Sequence, residues 1–197
     1  MKPRPGRALT LEGPAAAATV AEIERLRRER LVMDAVTSLP LQPDPGVGFD
    51  RIAGIGVLIL QLGRFAGVES LYGWELYDRV LKLTAASLRE DLESSALKSR
   101  HLSLSFNGCD GFCLLFDLSA QPAQRYAALL EPEGRRFRQG VLRRLRQALG
   151  RIAVDLMNVY VGVASVVDDP RVRPARNLSR GVLEAFRAAV AHQSDAR

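Results

Sequence analysis

The sequence predicts an α/β sandwich of the α+β kind: a mixed central sheet with flanking helices, a bare β-hairpin in its middle and one more helix in front. Three observations predict it. Segments with apolar residues at helical spacing alternate with β-rich runs in the order helix, strand, helix, hairpin, helix, strand, helix. One run, Ile52 to Leu62 (IAGIGVLILQL), is apolar without alternation, as in a central strand covered on both faces. Finally, 197 residues with 47% hydrophobic and 25% charged side chains suffice to bury one real core.

Residues 1–15 are rich in Pro, Gly and Ala without periodicity, and a disordered tail is expected there. Residues 16–36 place Val20, Ile23, Leu26 and Met33 at roughly helical spacing among the charges of EIERLRRER, which predicts a helix with a narrow apolar seam. Pro40, Pro43, Pro45 and Gly46 then break the chain before the apolar strand. From Leu71 to Leu92 a stripe of Leu76, Val80, Leu81, Thr84 and Leu88 predicts a helix packed on the sheet. HLSLSF alternates Leu102, Leu104 and Phe106, NGCDG supplies turn chemistry, and FCLLF resumes, which is a hairpin. Phe137, Val141, Leu142, Leu145 and Leu149 mark the next helix, Asn158 to Val166 the last strand, and Leu178, Val182, Phe186 and Val190 the final helix. The expected organisation is therefore a tail (1–15), an interaction helix (16–36), one domain (37–192) and a short tail (193–197).

Twenty-eight Lys and Arg against 22 Asp and Glu give a net charge of +6, which permits an acidic partner without demanding one. No apolar stretch approaches the roughly 20 residues of a spanning helix, and the N-terminus lacks the long apolar core of a signal peptide. Two cysteines, Cys109 and Cys113, make no disulfide framework and fit a reducing compartment, so a cytoplasmic location is expected.

Several short strings, in the right order, resemble the GGDEF domain of diguanylate cyclases. DAVTSLP (Asp34 to Pro40) resembles the D-x-L-T-G-L-P-N string that opens those domains, and LILQLGRF (Leu58 to Phe65) resembles their strand ending in D-I-D-x-F. ESLYGWELYD (Glu69 to Asp78) has the spacing of N-D-x-x-G-H-x-x-G-D, keeping Gly73 and Asp78. GCDGF (Gly108, Cys109, Asp110, Gly111, Phe112) sits where G-G-D/E-E-F belongs, and VYVGVAS (Val159 to Ser165) resembles the late S-I-G-V-A strand. The resemblance spans roughly Arg28 to Ala191 and implies the nucleotidyl-cyclase-like fold of that family.

It also implies where the family's chemistry would sit. Two divalent ions bridging GTP phosphates need anionic oxygens, since Mg²⁺ is a hard cation held by carboxylates and phosphates. Here the first-strand acids correspond to Gln61 and Gly63, and of the hairpin pair Asp110 keeps an acid while Gly111 does not. The guanine-reading Asn and Asp correspond to Glu69 and Asp78, the His to Trp74, and a Gly to Tyr77. A phenol where glycine admitted another group is expected to occupy the base pocket, with Trp74 beside it; the other use of these aromatics is as an exposed anchor for a protein partner. Ala189 replaces a phosphate-facing Lys of the last helix, and the product-inhibition string R-x-x-D, which would span Ser99 to Leu102, is absent.

Rival chemistries fit less well. Cys109 and Cys113 with His101 have no recognised zinc spacing, so neither metal nor cofactor is expected. The glycines of GVGFDRIAGIG precede a strand rather than opening a helix, which disfavours a dinucleotide fingerprint. The Arg runs 25–30 and 135–146 alternate with apolar positions, as solvated faces of amphipathic helices do, and stacking aromatics are scarce beside them. The expected function is a catalytically inactive GGDEF-like protein, regulatory or scaffolding through protein contacts in a bacterial signalling or cell-surface machinery pathway. It would associate with a protein partner or with itself, with Ile23, Leu26 and Met33 as the seam. The alternative is a non-catalytic module binding guanine nucleotide or cyclic di-GMP, and a weaker one is residual cyclase activity.

Overall fold

The computed structural model describes residues 31–43, 49, 52–63, 73–108, 110–150 and 158–194. Ile23, Leu26, Glu69, Cys109, the expected N-terminal tail and residues 195–197 lie outside them, while residues 193 and 194 of the expected C-terminal tail belong to the last helix. In chain order the elements are β1 (Gly54–Gly63), α1 (Trp74–Glu93), β2 (His101–Phe106), β3 (Gly111–Asp117), α2 (Tyr126–Leu149), β4 (Asn158–Val167) and α3 (Pro174–Ser194). The four strands form one sheet in the order β2-β3-β1-β4.

Every pairing among these strands is antiparallel, where a mixed sheet was expected. The reason is topological. Helical crossovers α1 and α2 do join strands that run the same way, β1 with β2 and β3 with β4. In each case another strand lies between the two, so no parallel pair is ever adjacent, which is the split βαβ arrangement.

The uniform apolarity of β1 follows from its central place. Leu58, Leu60 and Leu62 enter a core with Val80, Leu81 and Leu88 of α1 and Leu130, Phe137, Val141 and Leu145 of α2. The alternate residues Ile55, Val57 and Ile59 enter a second core with Cys113, Leu115, Tyr160 and Val166, closed by Ala185 and Ala189 of α3. Close approach of α3 depends on Gly162, where a Cβ would run into the carbonyl of Ala185. On β2 the expected alternation breaks. A bulge between His101 and Ser103 turns Leu102 towards the α3 side, while Leu104 and Phe106 stay in the first core.

Two boundaries differ from expectation. Helix α2 begins at Tyr126 rather than near Phe137 and carries Pro132 inside it. Burial of Tyr126 and Leu130, which pack over Gly54 and Gly56 of β1, outweighs the local cost of that proline. At the other end, residues 31–36 are not helical, and Met33 forms a bridge with Pro40 instead of extending an interaction seam. The Asp34 carboxylate accepts hydrogen bonds from the Val36 and Thr37 amides (3.1 and 2.6 Å) and from the Thr37 hydroxyl (2.8 Å). These bonds offer the backbone an alternative to helix, and the chain turns. Ser38, at the Gly of the family string, takes a left-handed φ of 53°. The loop is then fastened to the domain. The Phe106 amide donates to the Pro40 carbonyl (2.8 Å), Arg89 donates to the Ser38 carbonyl (2.7 Å), and Leu39 is buried.

Arg136 ties α2 to the end of α1. It donates to Glu133 of its own helix (2.8 Å), to the Asp91 carbonyl (2.8 Å) and to the Ser94 hydroxyl (3.1 Å). Glu133, 9% exposed, also accepts from Ser95 at 2.7 Å. A guanidinium at the C-terminal end of α1 adds a charged donor to the Asp91 carbonyl, which also accepts from the Ser94 amide and hydroxyl, and complements the helix dipole.

Candidate functional site

The hairpin loop and the end of β1 bring the sequence-identified residues together at one end of the sheet. Gln61 faces Gly111 across the β1–β3 ladder, and the Leu62 amide donates to the Asp110 carbonyl at 2.8 Å. The loop is set by Asn107 and Gly108. Asn107 donates its amide to the Gly111 carbonyl (2.9 Å) and accepts the Gly111 amide on its side-chain oxygen (3.0 Å). Gly108 turns with φ 79°, a conformation open to glycine at little cost. Phe112 is fully buried against Phe106, ring centroids 5.1 Å apart, and so anchors the loop in the first core.

The two glycines that stand for acids in the family pattern are both crowded. A Cβ on Gly63 would collide with the ring of Tyr160, which lies diagonally across the β1–β4 ladder. A Cβ on Gly111 would collide with the Asn107 side-chain amide and lie 2.7 Å from Gln61 Oε1. Tyr160 and Asn107 were not singled out from the sequence. For Asn107 the signal is its place before Gly108 in a turn. For Tyr160 it is an aromatic on the strand paired with glycine-bearing β1, since aromatic rings commonly cover cross-strand glycines.

Asp110 is half-buried, and burial raises its carboxyl above the ordinary carboxylate range, opposed by a hydrogen bond from Tyr77. That bond, Tyr77 hydroxyl to Asp110 Oδ1, is 2.9 Å long and links α1 to the hairpin. Tyr77 thus stands beside Asp110. Trp74 does not fill a pocket: at the first turn of α1 it is 65% exposed, touching Tyr77 edge-on at 5.7 Å. It is the first residue of the helix, directly after the N-cap Gly73. Asp78 is half-buried on the same helix. Among the described residues the buried Gln61 side-chain oxygen has no hydrogen-bond partner.

Cys113 lies on β3 inside the α3-side core, where burial pushes its thiol up to about 12 against an opposing hydrogen bond with Ser105. His101 starts the edge strand β2, its ring 6.0 Å from Phe116, and burial lowers its pKa. Among the described residues no three of His, Cys, Asp and Glu gather closely enough to hold a metal ion, and no helix is long and apolar enough to cross a membrane.

No family model matches the sequence, and no curated protein matches it. Solved structures do. The coiled coil and GGDEF domain of DgcB from Caulobacter crescentus, in complex with c-di-GMP, is 22% identical, with a TM-score of 0.59 over 93% of this chain and 94% of that one. Diguanylate cyclase SiaD from Pseudomonas aeruginosa, in complex with its activator SiaC, is 17% identical, with a TM-score of 0.57 over 90% of this chain and 65% of that one. The FimX GGDEF domain from Pseudomonas aeruginosa is 18% identical, with a TM-score of 0.51 over 81% and 94%. The fold is that of GGDEF domains.

Proposed function

We propose that this chain is a catalytically inactive GGDEF-fold protein, cytoplasmic, that acts as a regulatory or scaffolding subunit through protein contacts in a bacterial signalling or cell-surface machinery pathway. The observation that carries the reading is the filling of both glycine positions. Where the family pattern places acids, Gly63 is covered by the Tyr160 ring and Gly111 by the Asn107 and Gln61 amides. The remaining acid, Asp110, accepts a hydrogen bond from Tyr77. A carboxylate and an amide oxygen do not match the charge of two divalent ions on a triphosphate, and each lost carboxylate removes transition-state stabilisation of several kcal/mol, on the order seen for metal and oxyanion sites.

Among proteins of this fold, SiaD is held in a complex with an activator, which supports a role carried by surfaces. The test is an assay of purified protein with GTP and Mg²⁺ or Mn²⁺. No cyclic dinucleotide is expected, and detectable product overturns the reading. A second reading, a non-catalytic nucleotide sensor, is favoured by the c-di-GMP complexes among the similar structures. Calorimetric titration with GTP and with c-di-GMP separates the two: stoichiometric heat from either selects the sensor.

A further inference from the structure

Building on the reading of an inactive, contact-making protein, we infer that the Trp74, Tyr77 and Asp110 corner is a docking point for an arginine side chain presented by a segment of a protein partner. Three observations converge there. Trp74 leaves 65% of its surface in water, and tryptophan is among the residues that anchor protein interfaces. It rests edge-on against Tyr77 with ring centroids 5.7 Å apart, and the Tyr77 hydroxyl donates to Asp110 at 2.9 Å. Indole, phenol and carboxylate form one row.

The second observation is the state of Asp110. Its carboxylate is half-buried, and among the described residues the neutral Tyr77 hydroxyl is the donor it has, with no ion pair. Burial of a carboxylate without a cation opposes ionisation, and the raised pKa of this group reflects that cost. A cation arriving from outside recovers it.

The third is the local sign of charge. The chain as a whole carries +6, yet the first turns of α1 bring Glu75 and Asp78 next to Trp74 and Tyr77, while Arg79 donates to the Ala148 carbonyl at 3.4 Å. An acidic, aromatic corner on a basic protein complements a cation. Guanidinium suits it better than ammonium, because its plane stacks on an indole face and its fork matches a carboxylate. A polypeptide suits it better than a free amine. A lone cation over an exposed ring gains little, and neighbouring backbone contacts must supply the rest.

Trp74 is the sole tryptophan, so its emission reports this corner alone. The probes are a blocked peptide of alternating arginine and glycine, the matching lysine peptide, and MgCl₂. Saturable change in Trp74 emission is expected with the arginine peptide, tighter than with the lysine peptide. Asp110→Asn should weaken it about tenfold. Trp74→Leu, read by calorimetry at an exposed position outside the core, should weaken it about threefold.

No saturable change, equal affinity for both peptides, or affinity unaltered by Asp110→Asn and Trp74→Leu overturns the inference. So does a saturable response to MgCl₂ that Asp110→Asn abolishes, which assigns the carboxylate to a metal ion instead. Far-UV circular dichroism on both variants confirms that they are folded. Product from GTP in the parallel assay rejects the inactive-protein reading without touching the titration, whereas failure of the titration rejects this inference alone.

Discussion

Replacing Gly63 with Ala tests whether Tyr160 occupies the space that a side chain at this position would need. The Cβ would collide with the ring of Tyr160, which is 8% exposed and packed in the α3-side core, so ring or strand must move. Overpacking of this kind costs about 2 kcal/mol, partly offset by the about 0.5 kcal/mol gained when the unfolded chain loses glycine's freedom. The net destabilisation is about 1.5 kcal/mol. Tyr160→Ala alone removes a buried ring and costs about 3 kcal/mol, the low end for large-to-small changes because the ring caps an end of the sheet. In that background the new methyl meets open space, and Gly63→Ala becomes neutral or stabilising by about 0.5 kcal/mol. The four proteins of the cycle therefore differ from additivity by about 2 kcal/mol, measured by urea unfolding followed by far-UV circular dichroism. Additivity within about 0.5 kcal/mol refutes the packing argument, since that is the behaviour of independent sites. An acid at position 63 meets the same obstacle with a larger side chain.

Ser38→Gly should stabilise the domain by about 1 kcal/mol, because a left-handed φ of 53° penalises any side chain with a Cβ; thermal unfolding checks it. Arg136→Ala should destabilise by about 2 kcal/mol in urea, leaving the nearly buried Glu133 without its cation and removing a charged donor from the Asp91 carbonyl. Cys113, with its thiol raised to about 12, should resist iodoacetamide in the native protein at pH 8 and react once unfolded, as read by mass spectrometry of its peptide. His101 titrates below its ordinary value in the folded state, so the unfolded chain binds the proton first. Its contribution is fully present above the ordinary imidazole range and is lost as pH falls through the lowered folded value, a slope that His101→Gln should reduce in unfolding titrations across that window.

The central strand was legible because burial on both faces leaves a uniform apolar run in which polar residues have no place, and β1 falls within two residues of expectation. The hairpin was legible for the opposite reason, since NGCDG places turn chemistry directly between two apolar strand runs. The start of α2 was not, because Pro132 and Gly134 read locally as a break and only the burial of Tyr126 and Leu130 against β1 decides otherwise. Nor was the end of the first helical pattern. Its periodicity runs on to Met33, but the Asp34 carboxylate captures backbone amides that a helix would need. In the candidate site, residue identities were visible and their partners were not. Nothing in sequence spacing joins Tyr77 to Asp110, 33 positions apart, or sets Tyr160 over Gly63.

That difference bears on how the site would respond to repair. A carboxylate missing from an otherwise preserved cavity is a local defect, and returning it returns the charge. Here an aromatic ring lies where a side chain at position 63 would go and two amides where one at position 111 would. Restoring acids at Gln61, Gly63 and Gly111 therefore introduces three charges into a space without room for two of them, and burial without a cation opposes each. The changes to the neighbours are as much a part of the site as the substitutions themselves. If the chain is inactive as proposed, acids at these positions are expected to need the loss of Tyr160 and Asn107 as well, and with Asn107 the turn that presents Asp110.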